Sequence, residues 1–166
     1  MTDINATATP APTAVLALGS NLGDRERTLA AAVRAIADLP HAELTAVSPV
    51  YASDAVKPDG VDLSAPGYLN GVVIIETSLS PEELLDAANA IETALGRVRG
   101  ERWADRTIDI DLVDVEGVTR STEHLTLPHP RAAERTFVLA PWLSLDTDAQ
   151  LNGVRVSDLL ARLEGS

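Results

Sequence analysis

The chain has 166 residues, 45% of them hydrophobic, with no cysteine and a formal net charge of −12. That length and composition suit one folded domain and exclude a disordered or fibrous chain. The missing cysteines exclude disulfides, thiolate metal sites and cysteine nucleophiles, and the acidic balance excludes a general nucleic-acid binder, which needs a broadly basic face.

Residues 1–12, rich in Thr, Ala and Pro, read as a disordered leader, leaving 13–166 as the domain. Ala14–Leu18 is a short apolar run ending at Gly19, the pattern of a buried strand. Between Asp24 and Leu39 the residues Leu29, Ala32, Val33, Ile36 and Leu39 recur at helical spacing, and Pro40 blocks continuation. The intervening Gly19-Ser-Asn-Leu-Gly23 lacks the residues of a P-loop or dinucleotide fingerprint and reads as a tight turn with a helix cap. Leu44–Tyr51 reads as a second strand. The stretch 52–67, punctuated by Pro58, Gly60, Pro66 and Gly67, reads as a polar loop. A third strand runs from Val72 to Glu76, opened by Tyr68-Leu69-Asn70.

Ser80, Pro81 and Glu83 form a capping box with proline in the first turn of a second helix. Leu84, Leu85, Ala88, Ile91 and Leu95 give that helix an apolar face, and Gly96 stops it. Thr107–Val115 alternates as a strand, Glu116-Gly117 turns, and a second hairpin arm follows. Phe137–Leu143 is mostly apolar, and a short helix starts near Ser157. Strand, helix, strand, strand, helix, strand is the order of a ferredoxin-like α+β sandwich, a βαββαβ core with a mainly antiparallel sheet.

No apolar run reaches the roughly 18 residues a membrane helix needs, and the N-terminus lacks the layout of a signal peptide, so a cytoplasmic protein without a membrane partner is expected. Of the 13 Lys and Arg, seven lie between Arg97 and Arg135. A cationic patch in an acidic protein selects small anions such as phosphates.

Asp109-Ile110-Asp111 is the sharpest chemical feature. Residues two apart on a strand share a face, so both carboxylates emerge together while Ile108, Ile110 and Leu112 enter the core. Two hard oxygen donors without His or Cys suit magnesium, although charges alternating on a solvated strand give the same pattern. Arg97, Arg99, Arg102 and Arg106 precede the pair in GRVRGERWADRTIDID. Guanidinium forks beside paired carboxylates suit a magnesium-bound polyphosphate; Arg–Glu pairing on a solvated loop is the alternative. Trp103 sits inside the arginine run and either stacks on a flat heterocycle or packs the loop. Pro128-His129-Pro130 holds a histidine in a stiff turn before Arg131 and Arg135. Asn70 carries donors and acceptors suited to reading a heterocycle edge, an asparagine that merely ends a loop being the alternative.

LGSNLGDR, YLN, SLSPEELL, GRVRGERWADRTIDIDL and LTLPHPRAAERTFVLAP occur together, in order, between about Val15 and Pro141. In this the chain resembles the hydroxymethyl-dihydropterin pyrophosphokinases of folate biosynthesis. The resemblance implies transfer of a diphosphate from ATP to the hydroxymethyl oxygen of 6-hydroxymethyl-7,8-dihydropterin, with AMP released and two magnesium ions held by Asp109 and Asp111. It implies catalytic roles for Arg97 and Arg106 beside that pair. It places Arg99, Arg102, Trp103, Arg106, Thr126, His129 and Arg135 on the ATP side. It places Ser53, Val56, Tyr68, Asn70, Glu92, Trp103 and Phe137 around the pterin, with the ring stacked on Phe137 and a mobile loop carrying Arg102 and Trp103. A monomer acting on small molecules, without nucleic acid, is expected. The chain departs from the family at Gly100, where the arginine loop is short, at Asp105, and at Ser53-Asp-Ala-Val, which replaces T-x-P-x-G. The rivals are a kinase with a different acceptor and a non-enzymatic ferredoxin-like sensor of a small ligand.

Overall fold

In the computed structural model the described residues are 11–21, 24–53, 56–57, 60–61, 67–96 and 108–165. Four antiparallel strands carry the fold: β1 (Thr13–Ser20), β2 (Ala42–Val47), β6 (Tyr68–Thr77) and β7 (Asp109–Val115), in the spatial order β2-β6-β1-β7. Helix α1 (Arg25–Ala37) links β1 to β2, and α2 (Pro81–Gly96) links β6 to β7. This is the βαββαβ order read from the sequence, with the third strand extended at both ends.

Both helix starts carry side-chain caps, the second of them the capping box expected from the sequence. Asp24 caps α1 by accepting from the Arg27 N–H at 3.1 Å. At α2 the capping box closes in both directions: Ser80 N donates to Glu83 Oε1 at 2.8 Å, and Glu83 N donates to Ser80 Oγ at 3.1 Å.

The second strand differs from its expectation. It stops at Val47, and a separate short strand, β3 (Tyr51–Ser53), resumes beside β6. Pro49 has no N–H to donate, so the ladder cannot run through it. Ser48 fills the gap: its N–H donates to Val72 O, and its hydroxyl accepts from Val72 N, each at 2.9 Å. Beyond Ser53, β4 (Val56–Lys57) and β5 (Gly60–Val61) pair as a small hairpin, so the stretch read as an unstructured loop contains regular backbone.

The expected hairpin arm after Glu116-Gly117 also differs. Gly117 adopts φ +74 in the turn, but the next strand, β8 (Arg120–Ser121), pairs with β9 (Thr126–Leu127) and not with β7. The Gly19-to-Gly23 reading is corrected as well, since Gly19 and Ser20 belong to β1.

Apolar residues alternate between the two faces of the sheet. Leu16, Leu18, Val73, Ile75, Ile110 and Leu112 pack with Leu29, Ala32 and Ile36 of α1 and with Leu84, Ala88 and Ile91 of α2. The opposite face presents Val15, Ala17, Val72 and Val113 to a second core. That core is built by α3 (Thr136–Leu145), which follows a 3-10 turn at Ala132–Glu134, and by α4 (Val156–Glu164), preceded by the hairpin of β10 (Gln150–Leu151) and β11 (Val154–Arg155). Val138, Leu139 and Trp142 of α3 and Val156 and Leu160 of α4 are buried there. The apolar run at 137–143 is therefore a buried helix, and the sheet lies between two helical layers. A bulge places Val113 in this core: Leu16 pairs with Leu112 and Val15 with Asp114, leaving Val113 as the extra residue. Among the described residues no helix is long and apolar enough to cross a membrane.

Candidate functional site

On the α3 face, β1 reads Val15, Ala17, Gly19. Ala17 pairs with Val72 and Asp111, and Gly19 pairs with Asn70 and Asp109. Directly opposed residues of an antiparallel pair share a face, so the two carboxylates project on the same side as Ala17 and Gly19. The expected alternation holds: Ile108, Ile110 and Leu112 are buried while Asp109 and Asp111 are half-buried. Val15 and Ala17 are buried in the core that α3 and α4 build on this face, and Gly19 follows them along the strand.

One row of the sheet therefore carries Tyr51, Asn70, Gly19 and Asp109 on four neighbouring strands. Asn70 and Asp109 are two strand spacings apart, roughly 9.6 Å between backbones. Asn70 is almost fully buried and is held by its amide nitrogen, which donates to Tyr51 O at 3.1 Å and to Ser53 Oγ at 2.8 Å. Both N–H bonds are thus committed to β3, leaving Oδ1 as an acceptor over Gly19. Tyr68, half-buried, flanks the same glycine. Ser53 lies close to the expected pterin residues and acts on Asn70; Val56 lies on β4.

Arg135 joins the carboxylates to the aromatic ring. Its Nη1 lies 3.6 Å from Asp111 Oδ2, and its guanidinium carbon lies 5.7 Å from the centroid of Phe137. That is cation–π distance. The proline turn is fastened to the edge of β7, where His129 N donates to Val113 O at 2.8 Å. His129 Nδ1 accepts from the Arg131 N–H at 3.1 Å, so the neutral ring carries its proton on Nε2 and can donate to an anion. Thr126 is exposed on β9, opposite Ser121.

Burial pushes the His129 pKa below its ordinary 6.5; the charge of Asp111 opposes this, while Arg135 and Arg131 add to it. The native ring stays neutral where the unfolded ring begins to bind a proton. Stability from this group is complete above 6.5 and is lost as pH falls from there through the lower folded value. Denaturant titrations at about pH 7.5 and about pH 5.5 are expected to show a loss that His129→Asn reduces. An unchanged difference in the variant would remove the assignment.

Glu92 approaches from the other side of the sheet. It is 9% exposed, and its Oε2 accepts from the Ile110 N–H at 2.7 Å, clamping β7 between the two aspartates. Arg97, Arg99, Arg102, Trp103 and Arg106, with Gly100 and Asp105, lie outside the described residues.

The donor set fits magnesium. Magnesium keeps several waters and takes one or two carboxylates together with substrate phosphates, and two strand carboxylates beside an arginine and an imidazole provide such a partial set. Among the described residues no third Asp, Glu or His completes a cage made of protein alone. Sequence reasoning gave Gly19 and Asn21 only a place in a tight turn with a helix cap. The signal available for Gly19 was the shrinking series Val15, Ala17, Gly19 at alternate positions of one strand.

A family model described as 7,8-dihydro-6-hydroxymethylpterin-pyrophosphokinase (HPPK) matches residues 15–147. A 2-amino-4-hydroxy-6-hydroxymethyldihydropteridine pyrophosphokinase of Methylorubrum extorquens is 42% identical over 153 residues, covering 92% of this chain and 94% of that one. The Bacillus subtilis protein of the same description is 45% identical over 128 residues, covering 77% and 74%. Among solved structures, wild-type Plasmodium falciparum HPPK-DHPS with pteroate aligns with a TM-score of 0.69 at 12% identity. The alignment covers 96% of this chain and 45% of that one, so this chain spans under half of the solved protein.

Proposed function

The chain belongs to the 7,8-dihydro-6-hydroxymethylpterin-pyrophosphokinase family, and we propose that it works with magnesium held by Asp109 and Asp111. Its reaction moves the pyrophosphoryl group of ATP to the hydroxymethyl oxygen of 6-hydroxymethyl-7,8-dihydropterin, in folate biosynthesis. The observation that carries the residue-level reading is the single row of Asn70, Gly19 and Asp109. It sets a hydrogen-bond acceptor for the ring and a carboxylate for the phosphate chain on either side of an open position.

In this reading the pterin lies across Gly19, its polar edge at Asn70 and its face on Phe137. The hydroxymethyl arm then points toward β7. Tyr68 closes one side, while Ser53 keeps Asn70 turned the right way. Val56, on β4, adds to the pterin wall. The phosphates of ATP lie over Asp109 and Asp111, where magnesium, two ions when fully loaded, would offset the charge of the bridging oxygens. Arg135 exchanges Asp111 for a phosphate oxygen as ATP arrives, which also frees the Phe137 face. His129 donates Nε2–H to a second oxygen, and Thr126 lies on the same ATP side. Glu92 fixes the spacing of the two aspartates through Ile110. Arg97, Arg99 and Arg106 complete the cationic side, and Arg102 and Trp103 close over both substrates, excluding water.

The pterin hydroxymethyl oxygen then attacks the β-phosphorus in line and gives up its proton, while the bond from the β-phosphorus to the oxygen bridging to the α-phosphorus breaks and AMP departs with that oxygen. Positioning and charge neutralisation supply the catalysis. We place the enzyme in the cytoplasm as a monomer, acting on these two small molecules, with residues 13–166 as its single domain.

Product analysis with magnesium, ATP and the pterin tests the reading. AMP is expected in step with pterin consumed, and chelation of the metal is expected to stop both. ADP as the product, or turnover that resists chelation, would sink it.

A further inference from the structure

Resting on the site reading above, we propose that Gly19 sets the specificity of the site, by leaving room for a flat heterocycle to lie directly on the β1 backbone. Glycine inside a strand weakens it and often marks a close approach by a ligand. No turn requires the glycine here: Gly19 sits within β1, and unlike Gly117 at φ +74 and Gly153 at φ +79 it does not occupy the left-handed region. Backbone conformation therefore allows any L-residue at this position, and space is the remaining reason for glycine.

That space has defined walls. A Cβ at residue 19 would lie 3.3 Å from Asn70 Oδ1 and 3.5 Å from Tyr68 Cδ1. It would enter the row between the Asn70 acceptor and the Asp109 carboxylate. One methyl fits with a small shift, so the fold is expected to survive it. The same methyl stands where a ring N–H must pass to reach Oδ1. A second observation marks this end of β1 as built for a ligand. Asn21 is 3% exposed, yet its Oδ1 is the one buried side-chain polar atom without a hydrogen-bond partner among the described residues. Buried acceptors are ordinarily satisfied, and a bound molecule carrying N–H or O–H groups would satisfy this one.

The test compares the parent chain with Gly19→Ala, Gly19→Val and a control, Gly71→Ala. Gly71 lies on β6 but faces the other core, where an added Cβ would make ordinary contact with Ser48 Oγ at 3.5 Å. Calorimetry measures 6-hydroxymethyl-7,8-dihydropterin in the presence of magnesium and a non-hydrolysable ATP analogue, and the analogue alone. Gly19→Ala is expected to weaken pterin binding about tenfold to a hundredfold, and Gly19→Val further. Analogue affinity is expected to stay within about twofold, and Gly71→Ala to leave both unchanged. Unaltered pterin affinity in Gly19→Ala would overturn the proposal. So would an equal loss of both ligands with a lower Tm, which would make Gly19 purely structural. Failure of the parent chain itself to bind the pterin would overturn the site reading, and this proposal with it.

Discussion

Replacing either aspartate with alanine is expected to lower kcat/KM by about a thousandfold or more while leaving the fold intact. The first half follows from charge. In the proposed arrangement ATP would bring several negative oxygens to β7, and without one carboxylate the site would lose half of the protein ligands proposed for the metals that neutralise them. The second half follows from exposure. Among the described residues Asp111 makes one ion pair, to Arg135 at 3.6 Å, with the two side chains 45% and 27% exposed. Such a pair contributes about 0–1 kcal/mol. Asp111→Asn keeps the shape and removes the charge, so it is expected to be as inactive as the alanine variant, with thermal unfolding near that of the parent. Near-normal turnover in either single variant would remove the assignment.

Phe137→Ala is expected to raise the KM for the pterin about tenfold to a hundredfold, with a much smaller change in the KM for ATP, because stacking on an aromatic face contributes about 1–3 kcal/mol per ring. Phe137 is half-buried at the start of α3, with partners in the second core, so truncation also costs about 1–2 kcal/mol of stability. Phe137→Leu separates the two effects: it retains most of the packing and loses the π-face. If the leucine variant binds the pterin as the parent does, Phe137 packs the helix and does not stack the substrate. Arg135 gives a further check. Its guanidinium carbon lies 5.7 Å from the ring centroid, so Arg135→Gln is expected to uncover the ring while removing the phosphate contact proposed for it.

Local chemistry was legible in the sequence, and cross-strand chemistry was not. The capping box at Ser80 and Glu83 and the shared face of Asp109 and Asp111 depend on residues two or three apart, and each formed as the spacing implied. The break at Ser48–Val50 was also written locally, in Pro49, but the apolar residues around it outweighed one missing donor in the reading. Gly19 had only a weak local signal, the shrinking series Val15, Ala17, Gly19. Its meaning comes from the register that sets it between Asn70, some fifty residues later, and Asp109, some ninety later. Likewise the run at 137–143 declared its burial by composition but not its face, since a helix that is apolar on nearly all sides has no periodic stripe. The contact of Glu92 with Ile110 shows the same limit: the resemblance placed this glutamate near the pterin, and only the packing of α2 against β7 reveals the backbone amide that it holds.

Counting bound divalent ions is the most direct test of the central claim, that Asp109 and Asp111 form the metal site. Manganese replaces magnesium and is titrated into the chain with a non-hydrolysable ATP analogue, the bound ion being read by its paramagnetic resonance. The parent is expected to hold about two ions per chain, and the variant carrying both Asp109→Asn and Asp111→Asn fewer than about one. An unchanged count in that variant would contradict the account and move the metal to another part of the site.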